Sequence, residues 1–153
     1  ADLVALVAAL RRRGLALGVM TNDAEEAAHA HLDRAGLAGA FDFVAGYDSG
    51  HGAKPDAAPL LAFARACGVR AGAVAMVGDS LHDLHAARAA GMRGVGVETG
   101  PAPRATLATL AEAVLPDIGH LPAWLDATRA GAAVGKAAEF FGVSGLDPAR
   151  GPQ

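Results

Sequence analysis

Two carboxylates four residues apart follow a short apolar run in the segment VAMVGDSLHD, residues 74–83. The run is typical of a buried strand in a parallel sheet, because such strands are apolar on both faces. A glycine then allows a sharp turn, so Asp79 and Asp83 follow the carboxyl end of the strand, where open α/β sheets bind ligands. Two carboxylates repel each other unless a cation lies between them, and Mg²⁺ takes oxygen ligands. The pattern indicates a magnesium site; the alternative is that Asp79 or Ser80 only caps the next helix.

Two other strand ends carry polar side chains that suit a phosphate group. Thr21-Asn22-Asp23 follows an apolar run, and a hydroxyl with backbone N–H groups at a helix N-terminus forms a phosphate cradle. Lys54 lies near the end of the glycine-rich loop 46–55 and can neutralise a phosphate as a point charge. The alternatives are that one of the three polar residues caps a helix and that the lysine is a solvated surface residue.

The elements that would position these residues alternate between strands and helices. Apolar runs predict strands at residues 15–20, 41–45, 74–77, 94–97 and 114–115. Helical spacing of apolar residues and terminal glycines predict helices at residues 3–13, 24–35, 57–67, 81–90, 104–110 and 121–126. This alternation predicts an α/β fold, a three-layer Rossmann-like parallel sheet with flanking helices.

The end of the chain has a different character. Residues 130–141 are rich in alanine and predict a helix, and the residues that follow have few apolar side chains and predict a loose tail. We therefore divide the chain into a core domain, residues 1–127, and a C-terminal helix and tail, residues 128–153.

Composition excludes several classes of protein. The 153 residues suffice for one domain with a real core, and 52% of them are hydrophobic. The net charge is −3 with no basic–aromatic patch, which argues against a nucleic-acid partner. No apolar run approaches the ~20 residues of a membrane span. The single cysteine, Cys67, excludes an intrachain disulfide and suits a reducing compartment such as the cytoplasm.

The histidines offer a rival metal site. His82 and His85 flank Asp83, and such a cluster can indicate a transition metal. On a helix, however, Asp79 lies near His82 or Asp83 while His85 points elsewhere, so we do not expect a histidine metal site. His51 lies in the glycine-rich loop, where it is either a surface residue or a substrate contact.

Taken in order, a hydroxyl, a lysine and paired carboxylates after successive strands resemble the haloacid dehalogenase (HAD) superfamily of phosphohydrolases, and within it the phosphoglycolate-phosphatase-like branch. LGVMTND (17–23) resembles the family's second motif, GAKP (52–55) the third and GDSLHD (78–83) the fourth. AARAAGMRGVGVETG (86–100) resembles the family's continuation. The resemblance covers about residues 3–126.

The resemblance implies a magnesium-dependent hydrolase of a small phosphorylated metabolite, phosphoglycolate being the first candidate, that works through an aspartyl-phosphate. It implies that Thr21 and the Asn22 backbone hold the transferring phosphoryl group and that Lys54 neutralises charge. It also implies that Asp79 binds Mg²⁺ directly and that Asp83 binds it or orients its waters and Lys54. Phosphoryl transfer requires mainly such positioning and charge neutralisation.

The family's first motif, DxDx(T/V), which supplies the aspartate nucleophile, has no match here. The cap domain is also absent from these residues, and we predict that this chain alone is inactive. In the family the first strand lies between those that carry Thr21 and Asp79, so we expect a central gap with two unpaired edges, which favours self-association. The missing strand would belong to a longer protein or to a neighbouring chain, or the two edges would pair directly.

Two rival functions remain. The missing motif favours a non-catalytic HAD-fold module for binding or assembly. A receiver-type signalling domain also uses acidic residues, a threonine and a lysine around Mg²⁺. It requires an acidic pair on the first strand and an acceptor after the third, for which Asp48 is the only candidate.

Overall fold

Parallel strands form a single sheet in the computed structural model, which describes residues 2–130 and 140–143. The strands are β1 (Leu17–Met20), β2 (Phe43–Ala45), β3 (Val74–Gly78), β4 (Arg93–Val97), β5 (Ala113–Leu115) and β6 (Phe140–Val143). Their order across the sheet is β2-β1-β6-β3-β4-β5, and every pairing is parallel. Since all strands run in one direction, their carboxyl ends meet at one edge, which we call the carboxyl edge; the opposite one is the amino edge.

Helices connect the strands on both faces of the sheet. They are α1 (Leu3–Arg12), α2 (Glu25–Arg34), α3 (Ala58–Cys67), α4 (Leu81–Ala90), α5 (Arg104–Leu107) and α6 (Leu121–Ala130), with 3₁₀ turns at Ala71–Ala73 and Ile118–His120. The three-layer α/β prediction is confirmed. Each predicted helix and strand before residue 127 is present, with ends that differ by a few residues; α5 is shorter than predicted and α6 longer.

Local sequence explains where the helices begin and end. The Asp2 side chain accepts a hydrogen bond of 3.1 Å from the Ala5 N–H and so caps α1. Helix α4 ends at Gly91, whose φ of +72° is a left-handed conformation that costs glycine little.

Two hydrophobic clusters hold the helices to the sheet. One cluster joins α1, α2 and α6 to one face and includes the fully or nearly fully buried side chains Leu10, Leu17, Leu32, Val77, Val95 and Leu121. The other joins α3 and α4 to the opposite face and includes Met20, Leu60, Phe63, Val74, Met76 and Ala87. Neighbouring residues of one strand serve opposite clusters, as pleated strands require. Burial of each large side chain stabilises the fold by about 1.5–3 kcal/mol.

The centre of the sheet differs from the prediction. Strand β6 lies between β1 and β3, with Phe141 paired to Leu17 and Ala75, and Val143 paired to Val19 and Val77. Within the described residues neither central edge is left unpaired, and β1 and β3 do not pair with each other. The expected gap is therefore wrong, and the chain's own residues fill it. The two parallel ladders satisfy backbone N–H and carbonyl groups that would otherwise be exposed in the middle of the sheet.

The prediction of a helix over residues 130–141 is wrong at Phe140 and Phe141, which belong to strand β6. Residues 131–139 and 144–153 lie outside the described residues, and they include most of the predicted tail. The segment FFGV is rich in residues that favour strands, which the alanine-rich run before it obscured. Helix α6 crosses the boundary predicted after residue 127, and β6 joins the core sheet. The division of the chain into a core domain and a C-terminal segment stays a prediction. Self-association also stays a prediction, but exposed central edges no longer support it.

Among the described residues, none of the helices is both long and apolar enough to span a bilayer.

Candidate active site

Three successive strands deliver the predicted site residues to the carboxyl edge. Thr21 follows β1 directly, Lys54 lies in the loop after β2, and Asp79 follows β3. The Thr21 N–H donates a hydrogen bond of 2.9 Å to the Ala45 carbonyl, which joins the end of β1 to the end of β2. The chain order of hydroxyl, lysine and carboxylate is thus also an arrangement along one edge of the sheet.

A buried ion pair lies at the centre of this arrangement. Lys54 Nζ contacts Asp83 Oδ1 at 2.6 Å, and the two side chains are 4% and 3% exposed. Lysine and aspartate are almost never fully buried unless they are paired. The alternative prediction, that Lys54 is a solvated surface lysine, is therefore wrong.

The second oxygen of Asp83 holds the turn that follows β3. It accepts hydrogen bonds from the Asp79 N–H at 3.1 Å, the Ser80 N–H at 3.3 Å and the Ser80 hydroxyl at 3.1 Å. Ser80 is the N-cap of α4 and forms a capping box with Asp83. The capping alternative thus holds for Ser80, while Asp83 combines a cap with the contact to Lys54.

Glycines make room for both carboxylates. A Cβ atom on Gly78 would collide with the Asp83 side chain, and one on Gly100 would lie 2.5 Å from Asp79 Oδ2. Gly100 follows β4, so the loop after that strand packs directly against Asp79. The half-buried Asp79 side chain is therefore confined between its own turn and this loop.

The donor set fits part of a magnesium site. Asp79 supplies a carboxylate at the strand end, the ligand type that Mg²⁺ takes. One oxygen of Asp83 bonds Lys54 and the other bonds the turn after β3. In this arrangement Asp83 therefore holds Lys54 and the turn in place. No group of three His, Cys, Asp or Glu side chains is assembled as a metal site among the described residues. Ligands besides Asp79 would be waters, backbone carbonyls or phosphate oxygens.

Sequence reasoning missed what the Asn22 side chain does. Its Nδ2 donates to the Lys54 carbonyl at 2.9 Å, and its Oδ1 accepts from the Lys54 N–H at 3.0 Å. The preceding residue, Thr21, accepts a hydrogen bond of 3.1 Å from the Asp23 N–H through its hydroxyl. The turn after β1 is thus joined directly to the lysine loop.

The capping alternative for residues 21–23 is wrong. The N-cap of α2 is Ala24, which makes no side-chain cap. Asp48 Oδ1 instead accepts a hydrogen bond of 2.9 Å from the Glu25 N–H, and Ser49 Oγ donates to Glu25 Oε1 at 3.1 Å. Asp48, the one candidate acceptor of the receiver alternative, is therefore a helix cap supplied by the neighbouring loop.

The histidines do not assemble a rival site. His82 and His85 are exposed on α4. The half-buried His51 packs against Phe43 with the ring planes tilted by 41° and the ring centroids 5.5 Å apart. Among the residues that the structure covers, no histidine belongs to a three-member metal group.

A groove of about 520 Å³ lies at the amino edge, on the opposite side of the sheet from Lys54. It is lined in part by Arg11, Asp42 and Cys67. The Arg11 guanidinium donates to the Ala40 carbonyl at 2.9 Å and to Asp42 at 3.3 Å. Burial, reinforced by the negative charge of Asp42, raises the pKa of the Cys67 thiol, so the thiol stays protonated at neutral pH.

Comparison with known proteins agrees with this geometry. Residues 1–97 match the family model of the haloacid dehalogenase-like hydrolases. The chain is 41% identical over 122 residues to the phosphoglycolate phosphatase of Rhodospirillum rubrum, which is 80% of this chain and 51% of that protein. It is 40% identical over 118 residues to the phosphoglycolate phosphatase of Neisseria meningitidis, which is 76% of this chain and 50% of that protein. The chain thus spans about half the length of these relatives.

Solved structures show the same fold. A HAD family hydrolase from Deinococcus radiodurans, solved with bound phosphate and sodium, superposes with a TM-score of 0.76 at 25% identity, over 84% of this chain and 59% of that one. A HAD phosphatase from Thermococcus onnurineus gives a TM-score of 0.72 at 28% identity, over 81% and 56%. With the family match over most of the chain, these similarities show that the protein belongs to the haloacid dehalogenase-like hydrolases.

Proposed function

We propose that this chain is the core of a magnesium-dependent phosphomonoester hydrolase that acts on a small phosphorylated metabolite, with phosphoglycolate as the first candidate. The observation that carries the proposal is the buried contact of 2.6 Å between Lys54 Nζ and Asp83 at the carboxyl edge of the sheet. A cation fixed where open α/β sheets bind ligands is suited to a phosphate dianion. The relatives named phosphoglycolate phosphatase support the choice of substrate.

Three residues would bind the phosphoryl group. The Thr21 hydroxyl and the Asn22 N–H would hold its oxygens, and Lys54 Nζ would neutralise the charge that they carry. Phosphoryl transfer leaves little covalent work to the protein, so positioning and charge stabilisation provide most of the catalysis. Thr21 and Lys54 are the catalytic residues of this proposal.

Asp79 would bind Mg²⁺, and Asp83 would act through Lys54 and the turn that carries Asp79. When bound, the ion supplies positive charge to the phosphoryl oxygens as a Lewis acid. Asp83 holds Lys54 through one oxygen and the Asp79 N–H through the other, so it sets the distance between the two groups that meet the phosphate.

The attacking group of an aspartyl-phosphate mechanism is a carboxylate that forms a bond to phosphorus while the ester oxygen leaves with the bonding pair; water then releases phosphate. The DxDx(T/V) motif that carries this aspartate in the family is not among the 153 residues. We therefore propose that this polypeptide binds phosphate but does not turn over a phosphate ester unless an aspartate is supplied from outside its sequence.

The test measures binding and turnover separately. Titration calorimetry of the 153-residue polypeptide with inorganic phosphate and Mg²⁺ should show binding that Lys54→Met and Thr21→Val weaken about tenfold or more, because each removes a hydrogen bond to a charged group. Arg93→Gln, which removes a cation at the amino edge, is the matched control and should bind as the unmodified chain does.

The phosphatase assay with phosphoglycolate should show no turnover. Magnesium-dependent turnover at rates typical of the family would contradict the need for an outside aspartate. Absence of phosphate binding would contradict the hydrolase proposal and leave the non-catalytic module. The intact mass of the native protein, compared with that of these 153 residues, then tells whether further sequence supplies the aspartate.

A further inference from the structure

The position of Lys54 is not explained by its own loop. The lysine lies near the end of the glycine-rich loop 46–55, in which Gly50 and Gly52 have φ values of +85°. Glycine has the widest choice of backbone conformations, so a loop that contains several of them loses much entropy when it is ordered. A lysine that must meet a phosphate within hydrogen-bond distance therefore needs contacts from outside the loop.

The structure supplies such contacts at both ends of the residue. The ammonium group is held by Asp83, and the backbone is held by Asn22, whose side-chain amide bonds both the N–H and the carbonyl of Lys54. A carboxamide that pairs with both groups of one residue imitates the pairing of two strands. It fixes the peptide groups on either side of the lysine, which a single hydrogen bond does not.

The amide comes from the turn that carries the hydroxyl. Thr21 precedes Asn22 directly, and Thr21 is itself fixed by the hydrogen bond of its N–H to the Ala45 carbonyl. The side chain of Asn22 therefore ties the lysine loop to the end of β1, although the two segments are 32 residues apart in the chain. A shift of the lysine backbone relative to the hydroxyl would break both bonds of the amide.

We infer that the Asn22 side chain is a positioning residue that sets Lys54 relative to Thr21, a role distinct from phosphate binding by its backbone. The importance of this role for catalysis rests on the proposed hydrolase function, but the positioning itself does not. Asn22 is exposed and belongs to neither hydrophobic cluster, so its removal tests the contact rather than the core.

Amine labelling of the 153-residue chain measures the positioning directly. Lys54 and Lys136 are the only two lysines, so peptide mass spectrometry separates their rates of acetylation. Lys54 must leave Asp83 to react, which requires local opening of the loop. Asn22→Ala should raise the labelling rate of Lys54 about tenfold, the effect expected when two hydrogen bonds that resist the opening are lost. The rate at Lys136 should stay the same, and the thermal midpoint should fall by no more than a few degrees, the effect of losing these two bonds alone.

Two further variants complete the test. Asn22→Asp keeps the shape of the side chain but cannot donate to the Lys54 carbonyl, so it should also raise the labelling of Lys54. Asp23→Ala changes the next residue, which contributes backbone groups to the neighbouring hydrogen bonds, and should label as the unmodified chain does.

An unchanged rate at Lys54 in both Asn22 variants would overturn the inference. Equal increases at both lysines would also overturn it, since they would report general loosening. A raised rate at Lys54 alone, in a chain that binds no inorganic phosphate, would uphold the positioning while the proposed function fails.

Discussion

The two edges of the sheet carry ion pairs of similar length and very different surroundings. At the amino edge Arg93 bonds Glu112 at 2.6 and 2.9 Å, with side chains 32% and 46% exposed. At the carboxyl edge Lys54 bonds Asp83 at 2.6 Å, with both side chains almost fully buried. The amino-edge pair is partly exposed, with the Arg93 guanidinium over the Trp124 ring, whereas Asp83 holds Lys54 within a buried network that reaches Asp79 and, through the lysine backbone, Asn22. Burial and connectivity, rather than distance, distinguish the pair at the candidate site from the pair on the surface.

The largest effect should come from breaking the buried pair. Asp83→Ala leaves the Lys54 ammonium buried without this partner and removes the capping box of α4, so the free energy of unfolding should fall by about 3–5 kcal/mol. Urea denaturation measures the loss. Glu112→Gln, which breaks the surface pair, should cost about 1 kcal/mol or less.

Removing both charges of the pair should separate stability from function. Lys54→Met with Asp83→Asn should be more stable than Asp83→Ala, because no uncompensated charge remains buried. The same double variant should not bind inorganic phosphate. If it bound phosphate normally, phosphate binding at the carboxyl edge would not depend on Lys54. The two edges would then differ only in the burial of their ion pairs.

A smaller effect should follow from filling the space beside Asp79. Gly100→Ala places a methyl group against the Asp79 carboxylate, so it should weaken Mg²⁺ binding and lower stability by about 1–3 kcal/mol, as overpacking does. Gly72→Ala is the matched control, because a Cβ there meets no atom within 4 Å. Calorimetric titration with Mg²⁺ and urea denaturation measure both quantities; equal behaviour of the two variants would contradict the close approach.

At the amino edge the contribution of the Arg93–Glu112 pair to the free energy of unfolding should change with pH by a small but measurable amount. Hydrogen bonds from Arg93 hold the pKa of Glu112 below its ordinary value. The resulting stability is present above the pKa of the unfolded chain, about 4.3 for a glutamate, and is lost as the pH falls through the folded value. The stability difference between the unmodified chain and Glu112→Gln should therefore shrink as the pH is lowered from about 6 to 3 in urea denaturation series.

The smallest prediction concerns the amino-edge groove. Because the pKa of the Cys67 thiol is raised, alkylation of this single cysteine should be slower in the folded chain than in the urea-unfolded chain, and its pH midpoint should be higher. Mass spectrometry of iodoacetamide-treated protein over a pH series measures both. A folded thiol that reacts faster than the unfolded one would identify the groove as a second reactive site.

Local signals predicted most of the framework. The helix 81–90 was predicted to the residue, because Ser80 caps its start and Gly91 ends it. The order of Thr21, Lys54 and Asp79 predicted their common edge, because parallel strands end on one side of a sheet. Each of these predictions depends on residues close to one another in the chain.

What could not be predicted depends on contacts between distant segments. Asn22 was expected to contribute its backbone, and nothing in the sequence near it points to Lys54. Asp48 caps a helix that precedes it in the chain, so no motif at the start of that helix reveals the cap. Strand β6 pairs with residues from the other end of the chain, and its neighbours favour a helix.

The central position of β6 also bears on how the molecule is made. A ribosome delivers β1 and β3 long before β6, so the two central ladders can close only after Phe140–Val143 has left the ribosome. Pairing such as Leu17 with Phe141 gives the fold many non-local contacts, which slow folding. Until β6 is delivered, β1 and β3 lack this shared neighbour, and strand edges exposed in that way favour pairing between copies of a chain.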